Sequence, residues 1–261
     1  MQNKKKIFLI FSQSSYSSGC DYALQTVNFL KKKTKVILVL FGEPFKWRDF
    51  FKPNKIKKIF LKKNNLLIIR PFFFIIGNRF QFVRNVNCFI NSLFLRLYVD
   101  ILHRRENKIF WFFEPDYADI FLTIFSRFFK IYDCVDFFPF FSEYSKKCNL
   151  ALAERAEIIT ANSSVIFDEM KKIRNDVKLV PLGFAEQIFN QARPLPKKLK
   201  LILEKHKKKT VLGFVGGISS RLDFKLLNKM IKYSPDLDFL FFGDLEPNVF
   251  GQKDNLSKKI D

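Results

Sequence analysis

Two aspartates stand at the end of one apolar run, Asp133 and Asp136 in the stretch IYDCVDFF. Carboxylates so placed can orient a substrate hydroxyl or accept its proton, and they serve equally as helix caps or as ion-pair partners of nearby lysines. Further along, VGGISSRLD over residues 215–223 sets the adjacent Gly216 and Gly217 between an apolar run and a helical pattern. Glycines there let backbone N–H groups approach a phosphate at a helix N-terminus, although any tight turn of this kind favours glycine. Arg221 offers a planar fork able to grip a diphosphate through paired hydrogen bonds; a surface pair with Asp223 is its simpler use. Ser17, Ser18 and Gly19 follow the first apolar run, where a loop can approach a ligand, and ordinary loop composition explains them as well.

These residues act together only if a fold gathers them. Runs rich in β-branched and aromatic residues recur at 7–11, 36–41, 66–70, 108–113, 130–135, 157–160 and 177–181, and helical patterns fill 21–33, 80–105, 117–128, 142–156 and 164–173. Strands apolar on both faces and alternating with helices predict an α/β doubly wound domain, its parallel sheet covered on both sides. Open sheets of this kind bind ligands at the carboxyl ends of their strands, which is where Asp133 and Asp136 fall. Ser163 and Ser164 read as a helix start without chemistry.

After Gly183 the pattern gives way to a lysine-dense stretch with two prolines. This composition marks a linker over residues 186–209, separating a domain at 1–185 from the beginning of a second Rossmann-like domain at 210–261. The second domain opens with a strand at 210–215, a turn at 216–220, a helix at 223–232 and a strand at 238–242. Two such domains with a ligand cleft between them form an enzyme architecture.

Forty-six Lys and Arg face 25 Asp and Glu, a formal net charge of +21. An anionic membrane, a phosphorylated substrate or nucleic acid offsets such an excess, and a composition bias toward Phe, Ile, Asn and Lys produces it too. Basic residues are not regularly interleaved with aromatics, so nucleic acid is not an expected partner. The four cysteines lie far apart without CxxC spacing and only His103 and His206 are present, so no zinc site is expected. The start, MQNKKKIFLIFSQSS, has an apolar run too short for a signal peptide and reads as a first strand, placing the protein in the cytosol. No window reaches the ~18 apolar residues of a membrane span. The amphipathic segment Phe89–Leu102 suits a core-facing helix or docking on an anionic leaflet.

Four stretches, taken in order, resemble the metal-independent GT-B glycosyltransferases, particularly the family 4-like group that includes enzymes of teichuronic acid and exopolysaccharide synthesis. They are IYDCVDFF at 131–138, ERAEIITANSSVIFDEMKK at 154–172, VKLVPLGF at 177–184 and VLGFVGGISSRLDF at 211–224. Leu182–Gly183–Phe184 lacks that group's asparagine and aspartate around the glycine, Glu157 stands where aspartate is common, and Lys225 is the first lysine after the turn. The resemblance covers residues 130–243; the first hundred residues are similar only in pattern.

The resemblance implies a GT-B type fold and transfer of a sugar from a nucleotide-sugar donor to a cell-envelope polysaccharide or lipid-linked acceptor, without a metal or other cofactor. It implies that Gly216, Gly217 and Arg221 hold the donor diphosphate and that the face around Asp133 and Asp136 holds the acceptor, with peripheral contact at the inner face of the membrane. The family's later carboxylate motif would lie beyond Asp261, so the chain is expected to end within its donor domain. Two rival readings follow: a truncated, inactive relative, and a basic protein that works on a membrane surface.

Overall fold

In the computed structural model the described residues are 5–13, 22–56, 59–75, 80–136, 142–183, 194–207 and 209–245. The chain divides into two compact units, residues 1–184 and 185–261. Ser17, Ser18 and Gly19 lie outside the described residues.

The first unit is built on strands β1 (Lys6–Ser12), β2 (Lys35–Leu40), β3 (Phe60–Lys63), β4 (Leu66–Ile69), β5 (Asn107–Phe112), β6 (Phe129–Cys134), β7 (Ile158–Ala161) and β8 (Lys178–Leu179). They form one sheet in the order β3-β4-β2-β1-β5-β6-β7-β8. Every pairing is parallel except β3 with β4, a hairpin turning at Asn64, whose φ of 49° is one that asparagine tolerates. The sequence of β1, KIFLIFS, shows why the central strands need no polar face: successive side chains point to opposite sides. Ile7 and Leu9 enter one core with Ile37, Val39 and Phe110, while Phe8 and Ile10 enter the other with Val36, Leu38 and Ile68.

Helices α1 (Tyr22–Leu30), α2 (Pro53–Ile56), α3 (Gln81–Leu102), α4 (Ala118–Ile124), α5 (Glu143–Arg155) and α6 (Ser164–Lys171) accompany the sheet. Cys88, Leu95 and Val99 of α3, with Phe121, Leu152 and Ile166 of the next three helices, fill the first core. Ala23, Leu24 and Val27 of α1 fill the second. Ser142 caps α5 by accepting from the Ser145 N–H at 3.2 Å, and Ser163 caps α6 through the Ile166 N–H at 3.4 Å. Each satisfies an amide that the helix geometry leaves without a partner.

Two asparagines fix α3 in place. Asn87 accepts from the Ile75 N–H and donates to the Ile75 carbonyl, both at 3.0 Å. Asn91 does the same for Phe72, at 2.9 and 2.8 Å. The irregular segment 72–75 thereby gains the backbone partners a strand would have supplied.

In the second unit, helix α7 (Lys197–Lys205) occupies part of the stretch expected as a linker. Its sequence, KKLKLILEK, is a short amphipathic pattern that lysine density disguises. It is followed by strand β9 (Thr210–Val215), helix α8 (Phe224–Tyr233) and strand β10 (Leu237–Phe242), with β9 and β10 parallel. The α7 end is tied to β10 by His206, whose Nδ1 lies 2.5 Å from Asp238 Oδ2, with Lys209 Nζ 3.3 Å from the other oxygen.

Candidate functional site

Six strands of the first unit run in one direction from β2 to β8, so their carboxyl ends form one edge. Asp133 ends β6 there and is 3% exposed. Its Oδ1 accepts from Thr160 Oγ1 of β7 at 2.7 Å, and the Tyr22 hydroxyl at the start of α1 is a second hydrogen-bond donor. Burial pushes the Asp133 carboxyl above its usual range, with the two hydroxyls partly offsetting this. Tyr22 also meets the Phe113 ring edge-on at 5.6 Å, so one tyrosine links the ends of β5 and β6. Asp136 differs in kind: it is exposed, while its backbone carbonyl accepts from Cys134 Sγ at 3.7 Å. Of the two expected acids, only Asp136 presents its carboxylate to solvent.

Sequence reasoning passed over a second acidic group on this edge, supplied by EPDY immediately after β5. Asp116 accepts from Gln13 Nε2 at 3.0 Å and from Ser145 Oγ at 2.8 Å, and Glu114 faces the Gln13 N–H at 3.5 Å. Glu114, Asp116 and Tyr117 line a pocket with Gln13, Phe41 and Phe121. Tyr117 has φ 64° and ψ 14°, a left-handed conformation uncommon for a non-glycine residue and frequent at functional positions. Burial raises its hydroxyl pKa to about 12, so it is a neutral donor at physiological pH. The rule that singled out Asp133, an acid just past an apolar run, would have found Glu114 and Asp116. The pocket thus pairs an aromatic wall with half-buried carboxylates, a surface suited to a polar ligand with apolar ring faces.

In the second unit β9 and β10 stay paired beyond their ends. The Gly216 N–H donates to the Phe242 carbonyl and the Ile218 N–H to the Asp244 carbonyl, each at 2.9 Å. Gly216 and Gly243 have φ of 156° and 157°. A Cβ on Gly243 would stand 1.8 Å from the Gly216 carbonyl oxygen, whereas one on Gly217 would meet nothing within 4 Å. The strand ends therefore meet backbone to backbone, leaving an open approach over Gly217. Arg221 follows on the same exposed loop, its N–H donating to Ser219 Oγ at 3.3 Å, and it makes no ion pair among the described residues. Its suggested partner Asp223 is used otherwise: Oδ1 accepts the Leu226 N–H at 2.9 Å and caps α8.

The α8 N-terminus does not offer all its amides to a phosphate, because its own carboxylate occupies one and brings a negative charge. Asp223→Asn keeps an acceptor for Leu226 while removing that charge.

No protein-family model matches the chain. It is 29% identical over 154 residues to the Bacillus subtilis protein TuaH, provisionally named a teichuronic acid biosynthesis glycosyltransferase; the match spans 53% of this chain and 38% of TuaH. Among solved structures it is similar to the Escherichia coli trehalose-6-phosphate protein bound with UDP-2-fluoro glucose, with a TM-score of 0.57 at 11% identity over 93% of this chain and 66% of that one. It is similar too to Os79 of O. sativa in complex with UDP and deoxynivalenol-3-glucoside, with a TM-score of 0.59 at 10% identity over 97% and 69% of the two chains. The fold is that of the GT-B glycosyltransferases. In this GT-B chain the Asp133 edge belongs to the first unit and the Gly216 turn to the second. No helix among the described residues is long and apolar enough to cross a membrane.

Proposed function

We propose that the protein is a glycosyltransferase that moves a sugar from a UDP-sugar to a cell-envelope polysaccharide or lipid-linked acceptor. The observation that carries this reading is the 154-residue likeness to TuaH, and the GT-B fold agrees with it. The donor diphosphate lies on the open backbone at Gly217, below Gly216, and pairs with the Arg221 guanidinium. Fixed N–H dipoles and one delocalised cation stabilise the charge that grows on the departing diphosphate, and no resident metal is required of this arrangement.

The acceptor lies on the carboxyl edge of the first unit's sheet. Asp136 meets its hydroxyl, Asp133 acts at one remove by fixing the β6 end through Tyr22 and Thr160, and the Glu114–Asp116 pocket orients the rest. The protein works on the cytosolic side, in peripheral contact with an anionic leaflet.

Titration of the protein with UDP and UDP-sugars in a calorimeter tests the donor half. Removing one bidentate charged hydrogen-bonding group costs about 1.5–3 kcal/mol, so Arg221→Ala is expected to weaken UDP binding by roughly 10- to 100-fold. The absence of heat with every nucleotide-sugar tried, in a folded wild-type protein, would overturn the reading.

A further inference from the structure

Helix α3 turns an apolar face outward along its whole length. Phe82, Phe89, Leu93, Phe94, Leu97 and Ile101 are exposed, Phe94 to 61%, Leu97 to 59% and Ile101 to 73%. The opposite face, with Asn87, Cys88, Ser92, Leu95 and Val99, is buried. The helix cannot roll to hide the outer stripe, because Asn87 and Asn91 each hold both backbone groups of a residue in segment 72–75. Its charges are engaged at the margin: Asp100 binds Arg96 and Lys108, and Arg96 also donates to the Ile124 carbonyl at 3.1 Å. A contiguous apolar stripe of this extent on a helix marks an interaction surface.

The charge around it identifies the occupant. The C-terminal end of α3 reaches the pole where β2, β4 and β5 begin, and the exposed charged residues there are basic. Arg104 and Arg105 follow the helix directly, Lys62 and Lys63 end β3 beside the start of β4, and Lys32 precedes β2. None of these five makes an ion pair among the described residues. The acid nearest this rim, Glu106, is held by Lys35 at 2.6 Å and by His103 at 2.5 Å. An apolar helix face ending in a rim of unneutralised cations complements an anionic lipid leaflet, with acyl chains taking the stripe and headgroups the rim.

We infer that the outer face of α3, with the basic rim at its C-terminal end, docks the protein in the plane of an anionic membrane. The face itself stands on exposure and charge. Its purpose, bringing the site to a lipid-linked acceptor, rests on the glycosyltransferase reading.

Sedimentation with phosphatidylglycerol/phosphatidylcholine vesicles tests it. Wild-type protein is expected to partition onto these vesicles, weakly onto pure phosphatidylcholine, and less as salt rises. Leu97→Glu with Ile101→Glu is expected to reduce binding at least about ten-fold, and Lys62→Glu with Lys63→Glu by a similar factor. Val165→Glu, an equally exposed apolar site on α6, leaves binding unchanged. Circular dichroism establishes that each variant is folded, and Phe94→Trp, which adds no charge, shifts its emission to the blue on vesicles.

Failure of wild type to bind, binding indifferent to the α3 changes, or a dimer in solution that the Leu97→Glu/Ile101→Glu pair dissociates would each overturn the docking face. UDP calorimetry on the same preparations separates the two ideas. Heat with UDP but no vesicle binding removes only the membrane face, and vesicle binding without UDP heat removes only the donor reading.

Discussion

Gly243→Ala is expected to abolish detectable UDP binding and to loosen the second unit. The new Cβ would stand 1.8 Å from the Gly216 carbonyl oxygen and 2.6 Å from its carbon, well inside van der Waals contact, and both groups are backbone, with no side chain to rotate away. The positive φ of 157° adds a strain of about 1–3 kcal/mol for any non-glycine residue. Relief requires the Gly216 turn to move, which breaks the Gly216-to-Phe242 and Ile218-to-Asp244 hydrogen bonds and displaces the backbone over which the diphosphate is proposed to lie.

Two neighbouring substitutions calibrate the effect. Gly216→Ala meets only the edge of the Phe214 ring, at 3.2 Å, besides its own positive φ, and is expected to be milder. Gly217→Ala meets nothing in the free protein, so any loss of UDP affinity there, with stability unchanged, reports a ligand close to that backbone. Calorimetry with UDP and limited proteolysis of the second unit read the series. Wild-type UDP affinity in Gly243→Ala would show that the turn does not carry the donor.

Asp136→Asn is expected to lower kcat by about 10²–10⁴-fold, the range for a positioned acid or base, with little change in melting temperature because the carboxylate is exposed. Asp133→Asn is expected to behave in the opposite sense toward stability. In the folded protein burial raises the Asp133 pKa above its ordinary value, so the native state binds this proton more readily than the unfolded chain. Stability from this group therefore falls as pH rises from the unfolded pKa through the folded one, and the full cost is present at neutral pH.

An asparagine removes that charge while its Oδ1 can still accept from Thr160. Asp133→Asn should thus melt above wild type at neutral pH, and the gap should close as pH falls toward the ordinary carboxylate range. The other carboxylates with shifted values, Asp100 and Glu106 among them, are lowered. They lose stability on acidification in both proteins alike, so the difference between the two melting curves isolates Asp133. A variant that melts below wild type at neutral pH would show that the carboxylate charge is stabilising where it sits. Equal kcat in Asp136→Asn and wild type would remove Asp136 from the reaction.

The strands and most helices were legible because burial leaves a direct trace in composition. A strand covered on both faces must be apolar throughout, as IFLIF and VILVLF are, and Ser142, Ser163 and Asp223 announce helices through the short side chains that caps require. Strand β3 was missed because FLKK is exposed and antiparallel, with one apolar pair and no alternation to distinguish it. Helix α7 was missed because prolines and lysines around it suggest a linker.

The site was legible only by position. Asp133 and Asp136 mark the right edge, but whether an acid is buried or exposed depends on Tyr22 and Thr160, which arrive from elsewhere in the chain. The Gln13 contacts to Glu114 and Asp116 join residues 101 and 103 positions apart, and no local pattern encodes such a meeting.

The order of strands in the first sheet has a consequence for how the chain is made. β1 emerges early and pairs with β2 on one side, yet its other neighbour is β5, as the 101-position span from Gln13 to Glu114 illustrates. At synthesis rates of about 5–20 residues per second, that edge waits roughly 5–20 s for its partner. Through that interval the nascent half-sheet β3-β4-β2-β1 holds a row of unpaired amides and carbonyls on an apolar strand, the form most open to pairing with another chain. Closing so long a loop is also slow in entropy terms. The interval before β5 arrives is thus when the chain is most open to pairing with another, and shortening or shielding that stage is expected to raise the yield of folded protein.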